Sequence, residues 1–430
     1  MTQSTNCYVV DMNRTPFLKV KGKPGPLTAA DLGVHSARDI LQRHDHLRSQ
    51  IDEVITGCVM PSPDEANIAR VISLRLGLPE SVPAYTVQRN CASGLQAIDS
   101  AYQSIQMGRS DLVLAGGTEA MSRAPLLFRE EMAHWLGAWM KAKSVTQKIK
   151  LLAKLRPSCF KPVIALLKGL KDPVTGLSMG QTAEELAYKF NISREAMDEY
   201  ALNSHQACAK AQEEGYFDAV MQPVFTQDGQ FFRHDEGVRP DTDKSKLAKL
   251  PPYFDKQFGS VTAGNSSQIT DGAASLLLAS EKAVEQYQLP VKAKISDISW
   301  AALDPKVMGL GPVHAVNDLL HKQQVNFDDI DCWEINEAFS AQVLGCLKAF
   351  ADDDYCRQHL QRDAALGEID RQRLNMDGGA IAIGHPVGAS GARIMMQLIS
   401  IMQREQFSKG IASICIGGGQ GGAALVESVE

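Results

Sequence analysis

Short apolar runs alternate along this chain with longer stretches of helical periodicity. Residues 7–11 read as a first strand, entered almost at once. Residues 51–57 read as a helix end or turn feeding a strand. Residues 67–76 place apolar side chains at 68, 69, 71, 72, 74 and 76, compatible with a buried helix. Residues 84–87 are strand-like and 93–107 helix-like, and 111–115 predict a buried strand ending in Gly116-Gly117. This alternation predicts a mainly parallel sheet with helices on both faces.

The order recurs in the last third. Residues 327–333 echo 51–57, a glycine-rich turn leads into a helix over 377–400, and 411–416 form a buried strand ending in Gly417-Gly418-Gly419. Two similar α/β halves are expected. Residues 123–249 do not fit the repeat: they are richer in helix signals, carry a polar stretch at 228–249, and read as an excursion from the first half.

Length and composition narrow the class. At about 150 residues per domain, 430 residues make two large domains or about three. The 44% hydrophobic and 22% charged content exclude a disordered chain or a coiled coil. No run of about 18 apolar residues would span a membrane. A net charge of −6 argues against a nucleic-acid binder. Nine scattered cysteines without a CxxC pair predict neither disulfides nor structural zinc, and fit a reducing compartment. With no leader pattern at the N-terminus, a cytoplasmic location is expected. One stretch runs against the overall charge: residues 129–171 hold ten Lys or Arg against two Glu. Phe128, Met132, Trp135, Leu136, Trp139 and Met140 fall there on one helix face, before Pro157 and Pro162 break the pattern.

Four motifs carry candidate chemistry. Asn90-Cys91-Ala92-Ser93-Gly94 puts a thiol between a strand and a helix N-terminus, where free N–H groups favour thiolate; the alternative is a buried structural cysteine. His385, between Gly384 and Pro386 in a run with five glycines over 378–391, suits a general base for a thiol, or merely caps a turn. Cys415 ends a buried strand before glycines whose N–H groups suit an oxyanion hole. Glycines 417, 419 and 422 formally fit GxGxxG, but the eight residues left after Gly422 cannot build a dinucleotide-binding unit. Asn336 could hold a water or polarise a carbonyl; taken alone it reads better as a helix cap.

Together these motifs resemble the thiolase family over nearly the whole chain. The resemblance also rests on Arg14-Thr15-Pro16-Phe17, Gly116 to Ser122, Ala263-Gly264-Asn265-Ser266-Ser267 with Asp271-Gly272-Ala273, Asn336-Glu337-Ala338-Phe339, and Gly384 to Gly391. It implies a five-layered αβαβα fold of two similar halves: residues 1–122 with 250–280, and residues 281–430. Residues 123–249 would form a loop domain over the active site, with a basic helical insertion at 125–172.

It implies acyl transfer between a cysteine and coenzyme A, with ping-pong kinetics and no metal or redox cofactor. Cys91 would take the acyl group, His385 activate it, and Cys415 exchange the α-proton of acetyl-CoA. Asn336 would position a water in one oxyanion hole, and the N–H groups of Cys91 and Gly417 would form the other. Ser267, Met179, Ala263 and Phe339 would contact acyl-CoA or coenzyme A.

The leading expectation is a 3-ketoacyl-CoA thiolase of fatty-acid β-oxidation, working as a homodimer or homotetramer. Residues 125–172, 235–240 and 247–251 resemble the thiolase subunit of the trifunctional fatty-acid oxidation complex. A hydratase/3-hydroxyacyl-CoA dehydrogenase partner is therefore expected, or peripheral contact of 125–172 with the inner membrane face. Two departures bear on the subgroup: its members often carry His where this chain has Asn336, and many short-chain biosynthetic thiolases have His where this chain has Ser178. The alternatives are a biosynthetic acetoacetyl-CoA thiolase and, in another class, a non-catalytic thiolase-like lipid-binding protein. A condensing enzyme acting on acyl carrier protein fits less well, because the second catalytic cysteine is present here.

Overall fold

In the computed structural model, which describes residues 5–429, the chain divides into two units: one runs to Arg123 and resumes at Asp172, and the other is Ala124–Lys171. The larger unit is built on ten strands: β1 (Cys7–Arg14), β2 (Leu18–Lys19), β3 (Glu53–Gly57), β4 (Ala84–Val87), β5 (Leu112–Ala120), β6 (Thr270–Ser280), β7 (Ala293–Ala302), β8 (Cys332–Ile335), β9 (Lys409–Ile416) and β10 (Gln420–Glu427). They form one sheet in the order β8-β9-β10-β7-β1-β6-β5-β3-β4, with β2 paired to β6.

The expected repeat is visible in the pairing. Parallel β3·β5 matches parallel β8·β9, and antiparallel β5·β6 matches antiparallel β9·β10. Antiparallel β6·β1 matches antiparallel β10·β7. Where β4 pairs parallel to β3 in the first half, the second half has a single parallel bridge, Trp333 to Leu374. The halves join where β1 meets β7 at Cys7–Ile295, Tyr8–Lys294 and Val9–Ala293.

The sheet is mixed, not mainly parallel. Alternating strand and helix patterns do not reveal that β6 arrives after the long excursion, or that β9 and β10 are a direct hairpin; β6 and β10 run antiparallel to their neighbours. Nor does the fifth strand stop at Gly116-Gly117, as expected; it continues to Ala120. There the missing side chains serve packing, since a Cβ on Gly117 would run into the Gly388 carbonyl.

Three apolar layers separate the helices. Along β6, Leu277 and Ala279 face one cluster with Leu32, Ile40 and Leu41 of helix Ala29–Arg43, while Leu276 and Leu278 face another. That second, central cluster takes Leu95, Ile98 and Ile105 of helix Ser93–Gln106 and Ile394, Leu398 and Ile401 of helix Val387–Glu405, with Ile414 and Ala424 from the other half of the sheet. The third packs helices Gly311–Gln323 and Ser340–Phe350 against Ile411 and Leu425. The two central helices thus lie between the halves; their buried positions are mostly apolar, with Asp99, Ser390, Arg393 and Gln397 among them.

Inside the excursion, Arg14 of β1 makes a buried two-pronged pair with Asp235, both bonds 2.8 Å, and Asp235 also accepts from the Phe17 N–H. The smaller unit has helices Glu130–Lys141 and Val145–Leu152 and a two-residue ladder between 126–127 and 163–164. Trp135 and Trp139 stack at 5.2 Å and are half-buried, and Trp135 donates to the Leu151 carbonyl. Met132 is buried, but Phe128, Met140, Val145, Ile149 and Phe160 are exposed.

Candidate active site

Cys91 sits at the mouth of helix Ser93–Gln106, in a turn the local sequence can hold. Asn90 has a left-handed φ of 43°, which asparagine tolerates better than most residues. Ser93 locks the turn: its hydroxyl donates to the Asn90 carbonyl at 2.7 Å and accepts from the Arg89 N–H at 2.9 Å. The Asn90 side chain crosses to the other half and donates to the Gly417 carbonyl at 2.8 Å.

This bond ties the Cys91 turn to the β9–β10 hairpin. The hairpin turn needs its glycines, with φ of +93° at Gly418 and +79° at Gly419. The Gly417 N–H is directed at the Cys91 sulfur, as is the N–H of Cys91 itself. These two donors pull the thiol pKa down, but burial outweighs them and leaves it raised. The net shift is upward, despite the helix N-terminus beside it. Cys415, two residues before Gly417, is fully buried. Burial and then the nearby Cys91 sulfur hold its thiol well above the ordinary range.

His385 precedes helix Val387–Glu405, and its main-chain N–H is fixed to the Gln268 carbonyl at 2.9 Å. Ser390 Oγ lies 2.6 Å from His385 Nδ1 and 3.1 Å from the Pro386 carbonyl. With the Ser390 hydrogen on that carbonyl, Nδ1 donates to Oγ and Nε2 keeps the lone pair. Among the described residues Nε2 is buried without a hydrogen-bond partner. Burial, aided by the Arg393 charge, pushes the imidazole down to about 3, so the ring is neutral near pH 7. A neutral ring with a bare nitrogen is the form a general base requires.

Asn336 follows β8 and is fully buried. It is not a helix cap: the next helix begins at Ser340, with Phe339 at its N-cap. Its main-chain N–H donates to the Ser413 carbonyl, two residues before Cys415, and its Oδ1 accepts from Arg393 at 3.0 Å. Its Nδ2 has no partner.

The ligand-binding candidates divide. Met179 Sδ would lie 3.1 Å from a Cβ placed on Gly417, so Met179 stands over the Gly417 turn. Ser178 caps the helix that presents Met179, in a reciprocal pair with Gln181, which accounts for serine at this position. Ser267 N–H donates to the Ala338 carbonyl, and Phe339 bridges to Ser266, so both border the Asn336 loop. Ala263 is exposed on the same loop and makes no such tie among the described residues.

Two contributors were not singled out from the sequence. Glu119, fully buried, accepts from the Val59, Met60 and Gly388 N–H groups at 2.9–3.1 Å, binding the end of the first half to the turn after His385. Burial pushes its carboxyl up to about 7. Arg393, 2% exposed, links Asn336 to Glu334. A charged residue within the mostly apolar run Ala392 to Met396 was the signal available for Arg393.

Comparison with known proteins identifies the family. Residues 7–282 match the description "Thiolase, N-terminal domain" and residues 289–428 match "Thiolase, C-terminal domain". The chain belongs to the thiolase family. A curated 3-ketoacyl-CoA thiolase of Yersinia pestis is 36% identical over 99% of this chain and 97% of its own length. The crystal structure of a Bacillus anthracis acetyl-CoA acetyltransferase matches at 36% identity and a TM-score of 0.85, covering 99% of each chain. That of human mitochondrial 3-ketoacyl-CoA thiolase in complex with CoA matches at 35% identity and 0.84, covering 99% of this chain and 98% of that one. As a thiolase the chain is an acyltransferase. Among the described residues no helix is long and apolar enough to cross a membrane.

Proposed function

We propose that this thiolase cleaves 3-ketoacyl-CoA with coenzyme A through a Cys91 acyl-enzyme, in the degradative direction of fatty-acid oxidation. His385 Nε2 takes the Cys91 proton as sulfur attacks the 3-keto carbon. The Cα–Cβ bond then breaks and its electron pair leaves as the enolate of acetyl-CoA. Cys415 protonates that α-carbon, and acetyl-CoA departs. Coenzyme A gives its thiol proton back to Cys415 and its sulfur takes the acyl group from Cys91; the departing Cys91 thiolate recovers its proton from His385, which closes a ping-pong cycle. The N–H groups of Cys91 and Gly417 hold one oxyanion, and a water on Asn336 holds the other. Met179, Ser267 and Phe339 are placed to contact the coenzyme A thioester, and coenzyme A and acyl-CoA serve as substrates with no separate cofactor.

One observation carries this reading: the Cys91 and Cys415 sulfurs, from different halves, lie near each other, the Gly417 N–H reaches Cys91, and His385 Nε2 is buried without a partner among the described residues. The test is coenzyme A-dependent cleavage of 3-ketoacyl-CoAs of several chain lengths. Turnover of medium or long chains supports the degradative role. Activity confined to acetoacetyl-CoA would favour the biosynthetic reading, and none at all would favour a lipid-binding protein.

A second reading concerns residues 124–171. Exposed Phe128, Met140, Ile149 and Phe160 lie among ten Lys or Arg in a chain of net charge −6. This combination fits adsorption to an anionic lipid surface, where each cation gains about 1 kcal/mol. Vesicle sedimentation at low and high salt is its test. Binding only to a hydratase/dehydrogenase subunit would replace it.

A further inference from the structure

The direction of the Asn336 amide is imposed from outside the residue. A guanidinium has only donors, so the 3.0 Å contact from Arg393 Nη2 must be to the amide oxygen, and the amide cannot flip without setting donor against donor. Arg393 is itself held by Glu334 Oε2 at 3.2 Å through its other terminal nitrogen. All three side chains are buried. The consequence is that Asn336 Nδ2 has no partner among the described residues. Leaving a buried amide unpaired is costly, so a position that keeps one is expected to use it. Arg393 lies eight positions after His385, on the helix that His385 introduces, and the His385 Nε2 acceptor is likewise unpartnered.

We propose that Arg393 is a positioning residue for the thiolase reaction: its fork between Glu334 and Asn336 orients the amide so that the Nδ2 hydrogens, and not the oxygen, meet the water and oxyanion of the reacting thioester. The inference rests on the role proposed above for Asn336. In chemical terms Arg393 forms and breaks no bond; it makes a donor available where negative charge develops on oxygen. With the amide reversed, an oxygen lone pair would face that charge.

The test uses the full-length enzyme and two variants. Arg393→Lys keeps the charge opposite Glu334 but loses the planar fork. Glu334→Met with Arg393→Met removes the buried pair together, so that no lone carboxylate is left to unfold the protein. Each is measured for kcat, KM and exchange of the α-protons of acetyl-CoA, in native and Asn336→Ala backgrounds. In the native background, kcat and proton exchange should fall on the order of 10²-fold, as for a lost oxyanion donor, with KM changed by less than about threefold. In the Asn336→Ala background neither variant should lower the rate further. An equal loss in both backgrounds, or an unchanged kcat in either variant, overturns the proposal. If the wild type itself shows no coenzyme A-dependent cleavage, the thiolase reading of this site fails first, and that failure is seen without any variant.

Discussion

Cys91 and Cys415 are the same residue type a short distance apart, and their surroundings divide their work. Cys91 is reached by two N–H groups that stabilise negative charge on sulfur, whereas Cys415 has burial and a neighbouring sulfur against it. Cys91→Ser should therefore remove the acyl-enzyme altogether. Cys415→Ser should still acylate, while α-proton exchange on acetyl-CoA falls about 10²- to 10⁴-fold, the usual range for a lost acid/base group. Deuterium wash-in measured by mass spectrometry separates the two.

His385 adds a pH prediction whose sign can be worked out. Its folded pKa, about 3, lies below the ordinary 6.5, so between those values the unfolded chain takes up a proton that the folded chain refuses. Stability contributed this way is present above pH 6.5 and is lost as pH falls toward 3. His385→Gln should show a shallower loss of Tm between pH 6.5 and 4 than the wild type. Parallel slopes would mean that the ring is not buried neutral.

At the scale of elements, the site depends on two segments crossing without side chains between them. A Cβ on Gly117 would strike the Gly388 carbonyl, and Glu119, two residues along the same strand, accepts the Gly388 N–H. Gly117→Ala should cost about 1–3 kcal/mol, the range for overpacking. Glu119→Ala leaves the buried Gly388 N–H and the half-buried Val59 and Met60 N–H groups without their acceptor and should cost about 1–3 kcal/mol in urea unfolding. Strands β1, β5 and β9 and the two central helices could be read from apolar runs because burial leaves few polar positions there. The sheet's mixed direction could not. Nothing in an apolar run such as that of β6 records which way the chain enters it, and the glycines of β5 look like a strand end until the helix they admit is known. The Cys91, His385 and Cys415 motifs were legible because glycine, proline and asparagine mark their turns. Arg393 and Glu119 were not, because each acts through a partner hundreds or tens of positions away, at 57 for Asn336 and 269 for Gly388.

For the molecule as a whole, duplication places one cysteine on each half, and the site is complete only when the halves are joined. The Asn90 to Gly417 bond, across 327 positions, is part of that joining. Residues 124–171 stand as their own unit with their own short helices, so their removal with a short linker should leave cleavage of acetoacetyl-CoA within about threefold while abolishing vesicle binding. The central claim remains the acyl-enzyme. Intact-protein mass spectrometry after brief exposure to a 3-ketoacyl-CoA, with peptide mapping, tests it most directly. One acyl group on Cys91, released as acyl-CoA when coenzyme A is added, is the predicted result. An acyl group on Cys415, or turnover with no adduct on either thiol, would contradict it.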